Sequence, residues 1–237
     1  MALSESAMAG QPPATPHPRL AARLAALPPV PQDTPPSRRA HVVVPLRTAH
    51  LRLRLVTAAD VPGLLAHWNE PEARRYLFEG GDMGPEFAAR LVAAAQEMAE
   101  QHDGGLWVAT RLDGGGFVGT GALLRLSAHT PLELLLTVAP AAWGRGHATE
   151  MGQRLLRYAF DELHVALVLA DMSAPSPGPL RLAERLGMRA ERRASWPGTR
   201  FFFIDRKMRA SAGHPRADWQ ESQPMPLLVP PSQARCD

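Results

Sequence analysis

The chain has 237 residues, and its 26 Lys and Arg against 23 Asp and Glu leave a net charge of only +3 despite a pI of about 9.7. It contains no long run of lysine or arginine, which makes a nucleic-acid surface an unfavoured interpretation. The one cysteine, Cys236, can form no intrachain disulfide, so we expect a cytoplasmic protein without a catalytic thiol.

Both ends of the chain have the composition of extensions. Residues 1–45 are rich in Pro, Ala and Ser and lack the charged start and apolar core of a signal peptide, and residues 211–237 are similarly proline-rich. Three leucines of the first extension have helical spacing, and they could dock on the domain or on a second copy in a homodimer: Leu20, Leu24 and Leu27. We therefore predict one domain over residues 46–210.

The first half of this domain should contain one strand, then a run of helices, then two further strands. Leu51, Leu53 and Leu55 alternate with arginines, which is typical of a half-buried strand. The glycine triplet at 114–116 indicates a hairpin turn rather than a phosphate loop, because strands flank it. We predict strands at 51–55, 106–110 and 117–126. We predict helices that begin near 57, 73 and 84, the last reaching 101.

The second half begins with a strand at 134–138 that Pro140 closes. From Ala148 the apolar residues recur every three to four positions, which predicts an amphipathic helix. The apolar run 165–170 predicts a buried strand and is too short to cross a membrane. A short helix at 180–186 should end at Gly187, and a last strand should begin at Arg200.

Gly144 and Gly146 stand where the second-half helix begins. The first amides of a helix have no intrahelical partners, and missing side chains let an anion approach them closely. Taken alone, two glycines favour an ordinary strand-to-helix turn; the alternative is capture of a phosphate or pyrophosphate by the amides of residues 144–149.

The full string from Val138 to Glu150 resembles the coenzyme A motif of the GNAT N-acetyltransferase superfamily. It is closest to the branch of the ribosomal-protein Nα-acetyltransferases, where Pro-x-x-Trp-Gly-x-Gly-x-Ala-Thr-Glu is usual. Residues 181–188 resemble the second coenzyme-side motif of this family, and residues 68–77 resemble the opening of the branch. The resemblance implies an α/β (α+β) fold with a mixed, mostly antiparallel central sheet flanked by helices, and it implies acetyl-CoA as the cofactor.

Carried over residue by residue, the resemblance implies a coenzyme site. The backbone N–H of Val138 would donate to the acetyl oxygen. The remaining coenzyme-binding candidates are Trp143, Gly144, Arg145, Gly146, His147, Ala148, Thr149 and Ser176. Arg145 could pair with a phosphate, whereas His147 is expected to contribute its backbone amide rather than its ring.

The chain departs from the family at the general acid. Many relatives carry Asn-x-x-Ser before the second motif, where this chain has Ser176 and Pro179, and others place a tyrosine where it has Ala183. No acid therefore transfers from the family. Glu133 is the first candidate for the base, with a surface or salt-bridged glutamate as the alternative, and His129 and Glu191 are weaker candidates.

The acceptor should bind on the variable side of the domain. Trp68 and Tyr76 could line the acceptor pocket, although aromatic residues at helical spacing are as often part of a core. The loops at 127–132 and 192–200 are the other candidates. His102 and His164 lie beside predicted element ends without metal-ligand spacing, so we assign no metal.

By resemblance, the expected activity is direct acetylation of a primary amine, with a protein N-terminus as the favoured acceptor. Small amines, such as aminoglycosides, polyamines or amino-acid derivatives, are the first alternative. A non-catalytic acyl-CoA-binding or scaffold module is the second, since the acid is missing. No membrane partner is expected.

Overall fold

The structure is a computed structural model that describes residues 45–74, 83–125, 130–172, 177–196 and 199–211. The strands of this part are β1 (Leu46–Arg47), β2 (Leu51–Leu55), β3 (Gly105–Arg111), β4 (Phe117–Leu124), β5 (Leu132–Val138), β6 (Leu167–Met172), β7 (Arg189–Trp196) and β8 (Thr199–Asp205). Its helices are α1 (Val61–Trp68), α2 (Pro71–Arg74), α3 (Pro85–Glu100), α4 (His147–Arg157), α5 (Pro177–Arg185) and α6 (Arg206–Ser211). Short 3-10 turns at Ala58–Asp60 and Pro140–Ala142 and a π-helical turn at Tyr158–Glu162 complete it.

The strands form one sheet in the order β1-β2-β3-β4-β5-β6-β8-β7. Every neighbouring pair in the described part is antiparallel except β5 and β6, which are parallel and are connected through α4. The predicted mixed, mostly antiparallel sheet flanked by helices is therefore confirmed.

The parallel contact between β5 and β6 is short. It pairs only Leu132 with Val168 and Glu133 with Leu169, whereas β6 pairs with β8 over its whole length and β5 pairs with β4 up to Val138. The two strands thus separate after Glu133. We call this opening the β5–β6 gap; its closed end lies at Glu133 and its open end at Val138.

The helices cover both faces of the sheet and make two hydrophobic cores. Met151, Leu155 and Leu156 of α4 pack with the even-numbered residues of β5, such as Leu132 and Leu134. On the other face, residues of α1 and α3 pack with Leu106, Val108, Ala122 and Leu135. Because strand side chains alternate between faces, the odd-numbered residues of β5 point toward α1 and α3.

A bulge in β4 faces the last residues of β5. Ala109 pairs with Gly119 while Thr110 pairs with Phe117, so Val118 is an extra residue on β4. Gly119 has φ +157°, and a Cβ atom there would overlap the carbonyl oxygen of Thr137. The glycine therefore permits β4 to approach β5 closely beside the open end of the gap.

Two loop predictions were wrong in extent. Residues 192–200, expected as a loop, belong mostly to β7 and β8, and Leu132, expected in the 127–132 loop, already belongs to β5. β7 pairs only with β8 at the edge of the sheet, and such a strand does not need the apolar alternation by which sequence patterns are recognised. The predicted docking of Leu20, Leu24 and Leu27 lies outside the described residues.

Across the described ranges, no helix is both long enough and apolar enough to cross a membrane.

Candidate functional site

The loop from Trp143 to Gly146, here called the glycine turn, prepares the start of α4. Gly144 and Gly146 have φ +74° and +79°, a left-handed conformation that glycine adopts without strain. Among the described residues, a Cβ atom at either position would meet nothing within 4 Å. The space beside the turn is therefore open, as the approach of a ligand to the backbone requires.

The first amides of α4 are not used by the helix. The N–H of Glu150 donates to the carbonyl oxygen of Gly146 over 3.0 Å, which is the first bond of the helix. The amides of His147, Ala148 and Thr149 precede it and have no intrahelical acceptor. With the positive end of the helix macrodipole, they form a site suited to an anion such as a phosphate. Arg145 is exposed beside them.

His147 adds an unsatisfied side chain to this site. Its imidazole is only 8% exposed, and within the described residues neither ring nitrogen has a hydrogen-bond partner. Buried polar atoms are nearly always paired, so an orphaned ring at a helix start fits a partner supplied by a ligand. Only the backbone of His147 was predicted to contribute, because burial of a residue at a turn leaves no periodic pattern in the sequence.

Glu150 fixes the position of the helix start. Its carboxylate accepts hydrogen bonds from the backbone N–H of His50 at 2.8 Å and lies 3.2 Å from the His50 ring. Burial acts to raise the pKa of Glu150, but bonds with Thr48 and His50 outweigh it and the pKa is lowered. The carboxylate thus stays ionised and ties α4 to the turn between β1 and β2.

One edge of β5 presents its backbone to the β5–β6 gap. The N–H of Ala139 donates to the carbonyl oxygen of Val118 over 2.8 Å, so the odd-numbered residues of β5 bond to β4. The even-numbered residues face the other way. The last bridged pair, Glu133 with Leu169, uses the amide of Leu134, so the amides of Leu136 and Val138 beyond it open into the gap. Val138 alone was predicted for this role, because the register that adds Leu136 is visible only in the sheet.

Trp143 stands at the open end of the gap. Its indole Nε1 donates to the carbonyl oxygen of Val138 over 2.7 Å, and the side chain is 45% exposed. The glycine turn is thereby held against the end of β5. The start of α4 and the open end of the amide edge of β5 are consequently held close to each other.

Glu133 lies at the closed end of the gap. The side chain is buried on the α1 face, and five residues of strand, roughly 16 Å, separate Glu133 from Val138. A proton could travel between the two ends of the gap only through several waters. The base role of Glu133 stays a prediction. Along the strand, Leu136 is two residues closer to Glu133 than Val138 is.

A buried polar cluster lies on the α1 face beside the open end. His67 Nε2 is 2.8 Å from Thr137 Oγ1, which is 2.7 Å from Thr120 Oγ1. Trp68 Nε1 donates to Thr120 Oγ1 at 3.5 Å. We call these four residues the hydroxyl network. Burial lowers the pKa of His67 to about 4, so its imidazole is neutral near pH 7.

The position of Trp68 in the hydroxyl network bears on its predicted contact with an acceptor. The indole is fully buried in the core with α3, so a direct contact with an acceptor stays a prediction that requires neighbouring side chains to move. His67 was missed by sequence reasoning. A single histidine inside an amphipathic helix carries no signal, and its partner Thr137 is 70 residues away.

Several predicted site residues lie outside the described part. Ser176, Tyr76 and His129 are not among the described residues, and for Glu191 only the backbone is described. Ala183 is fully buried in the core of the α4 face, where it offers no acidic group. Within the described residues, no group of three or more His, Cys, Asp or Glu is arranged to hold a metal ion.

Residues 50–189 match the family described as "Acetyltransferase (GNAT) domain". An acetyltransferase from Agrobacterium tumefaciens is similar with a TM-score of 0.60 and 21% identity, over 71% of this chain and 98% of that one.

Two other similar solved structures are of enzymes named for different acceptors. A spermidine N-acetyltransferase from Vibrio cholerae, in complex with CoA and spermine, has a TM-score of 0.55 and 18% identity, over 67% of this chain and 96% of that one. A ribosomal-protein-S5-alanine acetyltransferase from Vibrio fischeri has a TM-score of 0.55 and 12% identity, over 68% and 96%. At such identities the likeness concerns the fold.

Proposed function

This chain belongs to the family of GNAT acetyltransferases, and we propose that it moves an acetyl group from acetyl-CoA directly to a primary amine. The observation that carries the proposal is the amide edge of β5, which opens into the β5–β6 gap next to the unpaired amides of α4. The residues present fit the cofactor, since the glycine turn leaves open space and the His147 ring lacks a partner within the described part.

In this proposal, the start of α4 holds the phosphates. The amides of His147, Ala148 and Thr149 would donate to a pyrophosphate, and Arg145 would pair with a phosphate. Gly144, Gly146 and Trp143 shape the entrance. Ser176 precedes α5 directly and stays a candidate for a further contact.

Acetyl-CoA supplies the thioester whose carbonyl carbon the amine attacks. The C–N bond would form as the C–S bond breaks, coenzyme A would leave as the thiolate, and the proton released by the nitrogen would pass through water to that thiolate. The amides of Val138 and Leu136 are preformed donors for the acetyl oxygen, and such donors need no reorganisation as charge develops there. A thiol pKa of about 8.5 makes the thiolate a fair leaving group, so a dedicated acid is not required.

The favoured acceptor is the N-terminal amine of a protein. An α-amino group has a pKa of about 7.7–8.0, so an appreciable fraction is neutral and needs only a modest base. This suits a site in which Glu133, the first candidate base, lies at the far end of the gap. A small amine is the alternative acceptor, and similarity extends to enzymes whose titles name either kind.

The first experiment measures thermal unfolding with and without millimolar acetyl-CoA. At about a hundred times the dissociation constant, binding adds roughly 2.7 kcal/mol, which corresponds to about 5–10 °C for a chain of this size. Gly146→Glu should abolish the shift, because it places a carboxylate at the anion site.

Gly115→Glu is the matched control. Gly115 also has a left-handed φ, +70°, and open space around its Cβ position, but it lies in the hairpin between β3 and β4. It should lose the same conformational stability and keep the acetyl-CoA shift. Equal loss of the shift in both variants would contradict the assignment of the cofactor to the glycine turn.

A screen of acceptors then separates the functions. Peptides with free N-termini, aminoglycosides, polyamines and amino-acid amides are incubated with acetyl-CoA, and the released thiol is measured. Turnover on peptides but not on the same peptides with blocked N-termini is the expected result. Binding of acetyl-CoA without turnover on any amine would favour the non-catalytic acyl-CoA-binding module instead.

A further inference from the structure

The segment of β5 that faces the gap is held by one neighbour only. Beyond Glu133 it has no ladder to β6, so its position depends on β4 and on the side chains that pack against it. Acetyl transfer needs the donor amides in a fixed place, since a displacement of about 1 Å can cost on the order of a hundredfold in rate. Whatever anchors this segment therefore bears on the chemistry.

The hydroxyl network provides such an anchor. Thr137 lies between Leu136 and Val138, and its hydroxyl accepts from the backbone N–H of Thr120 at 3.1 Å and contacts His67 Nε2 at 2.8 Å. The side chain thus connects β5 to β4 and to the end of α1 at once. All three side chains are buried, so these bonds are not in competition with bulk water.

The protons in the network can be assigned by counting donors and acceptors. If His67 Nε2 carries the proton, it donates to Thr137 Oγ1, which donates to Thr120 Oγ1; the other ring nitrogen, Nδ1, is then a bare acceptor. The opposite tautomer would leave a buried N–H at Nδ1, which has no partner within the described residues. Orphaned donors are rarer than orphaned acceptors, so the first arrangement is favoured.

Packing alone does not require these polar groups. Valine has the shape of threonine, and replacing both partners of a buried hydrogen bond by apolar groups can be nearly neutral for stability. The ring of His67 is only 5% exposed and meets the ring of Phe117 edge to face, with centroids 5.0 Å apart. An apolar aromatic ring would satisfy that contact equally well.

We propose that His67 and Thr137 are positioning residues for acetyl transfer: their hydrogen bond fixes the part of β5 whose Leu136 and Val138 amides face the gap. The inference rests on the proposed function. Neither side chain is assigned a contact with the reacting atoms, and both act through the backbone of β5.

The test measures thiol release from saturating acetyl-CoA with hydroxylamine as the acceptor. Hydroxylamine is small and uncharged near neutral pH, so it needs neither an acceptor pocket nor a strong base. The variants are Thr137→Val, His67→Phe, His67→Gln and the double variant His67→Phe with Thr137→Val. Thr110→Val, on β3 and outside the hydroxyl network, is the matched control.

Thr137→Val, His67→Phe and the double variant should each lower the rate about 10–100-fold while the calorimetric Kd for acetyl-CoA stays within about threefold. His67→Gln, which keeps a side-chain N–H, should recover most of the rate, and Thr110→Val should match the parent. The double variant should be no worse than Thr137→Val, since the His67–Thr137 bond is already lost in that variant together with both bonds to Thr120.

Parent-like rates in Thr137→Val and His67→Phe would overturn the positioning role and leave the proposed function intact. Rates that fall only in proportion to the unfolded fraction seen by circular dichroism would also overturn it. A parent protein that binds acetyl-CoA but releases no thiol with hydroxylamine would overturn the proposed function as well as this inference.

Discussion

At the scale of single residues, His67 makes the stability of the protein depend on pH. Its pKa is lowered by burial from 6.5 to about 4, so the unfolded chain binds a proton there more readily than the folded one. The stability contribution of the neutral ring is complete above pH 6.5 and is lost as the pH falls toward 4.

The expected size follows from linkage. Between pH 7 and pH 5 the parent should lose about 2 kcal/mol of unfolding free energy through this group. His67→Gln should lack this part of the slope, which urea unfolding at the two pH values would show. Asp60, whose pKa is lowered to about 2 by its bond with Arg54, loses its contribution below pH 3.8 and so does not interfere. Identical slopes in parent and variant would contradict the assignment.

Residues differ in how far the sequence reveals their roles. Gly144 and Gly146 were recognisable, because a left-handed turn before a helix requires glycine, and the glycines are visible in the sequence. His67 was not recognisable. Its role depends on the register that places Thr137 opposite α1, and no local pattern encodes a contact between residues 70 positions apart.

At the scale of elements, a histidine follows the π-helical turn after α4 at a position with a left-handed backbone, where glycine is usual. His164 has φ +56°, and the N–H of Val165 donates to the carbonyl oxygen of Ala159 over 3.1 Å, one residue further back than the acceptor in a Schellman motif. A residue with a Cβ atom is strained in this conformation.

Replacing this histidine should therefore stabilise the protein. His164→Gly is expected to add about 0.5–1 kcal/mol and to raise the Tm by about 1–4 °C. Gln153→Gly, at an exposed position inside α4, is the opposing control and should lower stability by about 1 kcal/mol. Differential scanning calorimetry measures both, and a lower Tm for His164→Gly would show that the imidazole is needed there.

The elements themselves were predicted unevenly. α3, expected at 84–101, spans Pro85–Glu100, because its apolar residues repeat with helical spacing along the whole helix. β7 was not predicted, because an edge strand is specified by its partner β8 more than by its own sequence.

At the scale of the whole molecule, the sheet consists of two parts that meet at the short contact of β5 with β6. Acetyl-CoA in the β5–β6 gap should protect amides that the sheet leaves open. We expect slow hydrogen exchange at Leu136 and Val138 only with the cofactor present. Leu135, whose amide faces β4, is the internal control and should be slow in both states. Unchanged exchange at Leu136 and Val138 would place the cofactor elsewhere.

The same division has a consequence for the order of folding. β3, β4 and β5 are sequential antiparallel neighbours joined by short connections, so their contacts are local, whereas pairing β6 with β5 requires the long crossover through α4. Local contacts form early and long loops close late, so the gap should be assembled on the native side of the folding barrier. A molecule bound in the gap would then hardly alter the rate of folding. It would instead lengthen the lifetime of the folded protein by slowing its unfolding.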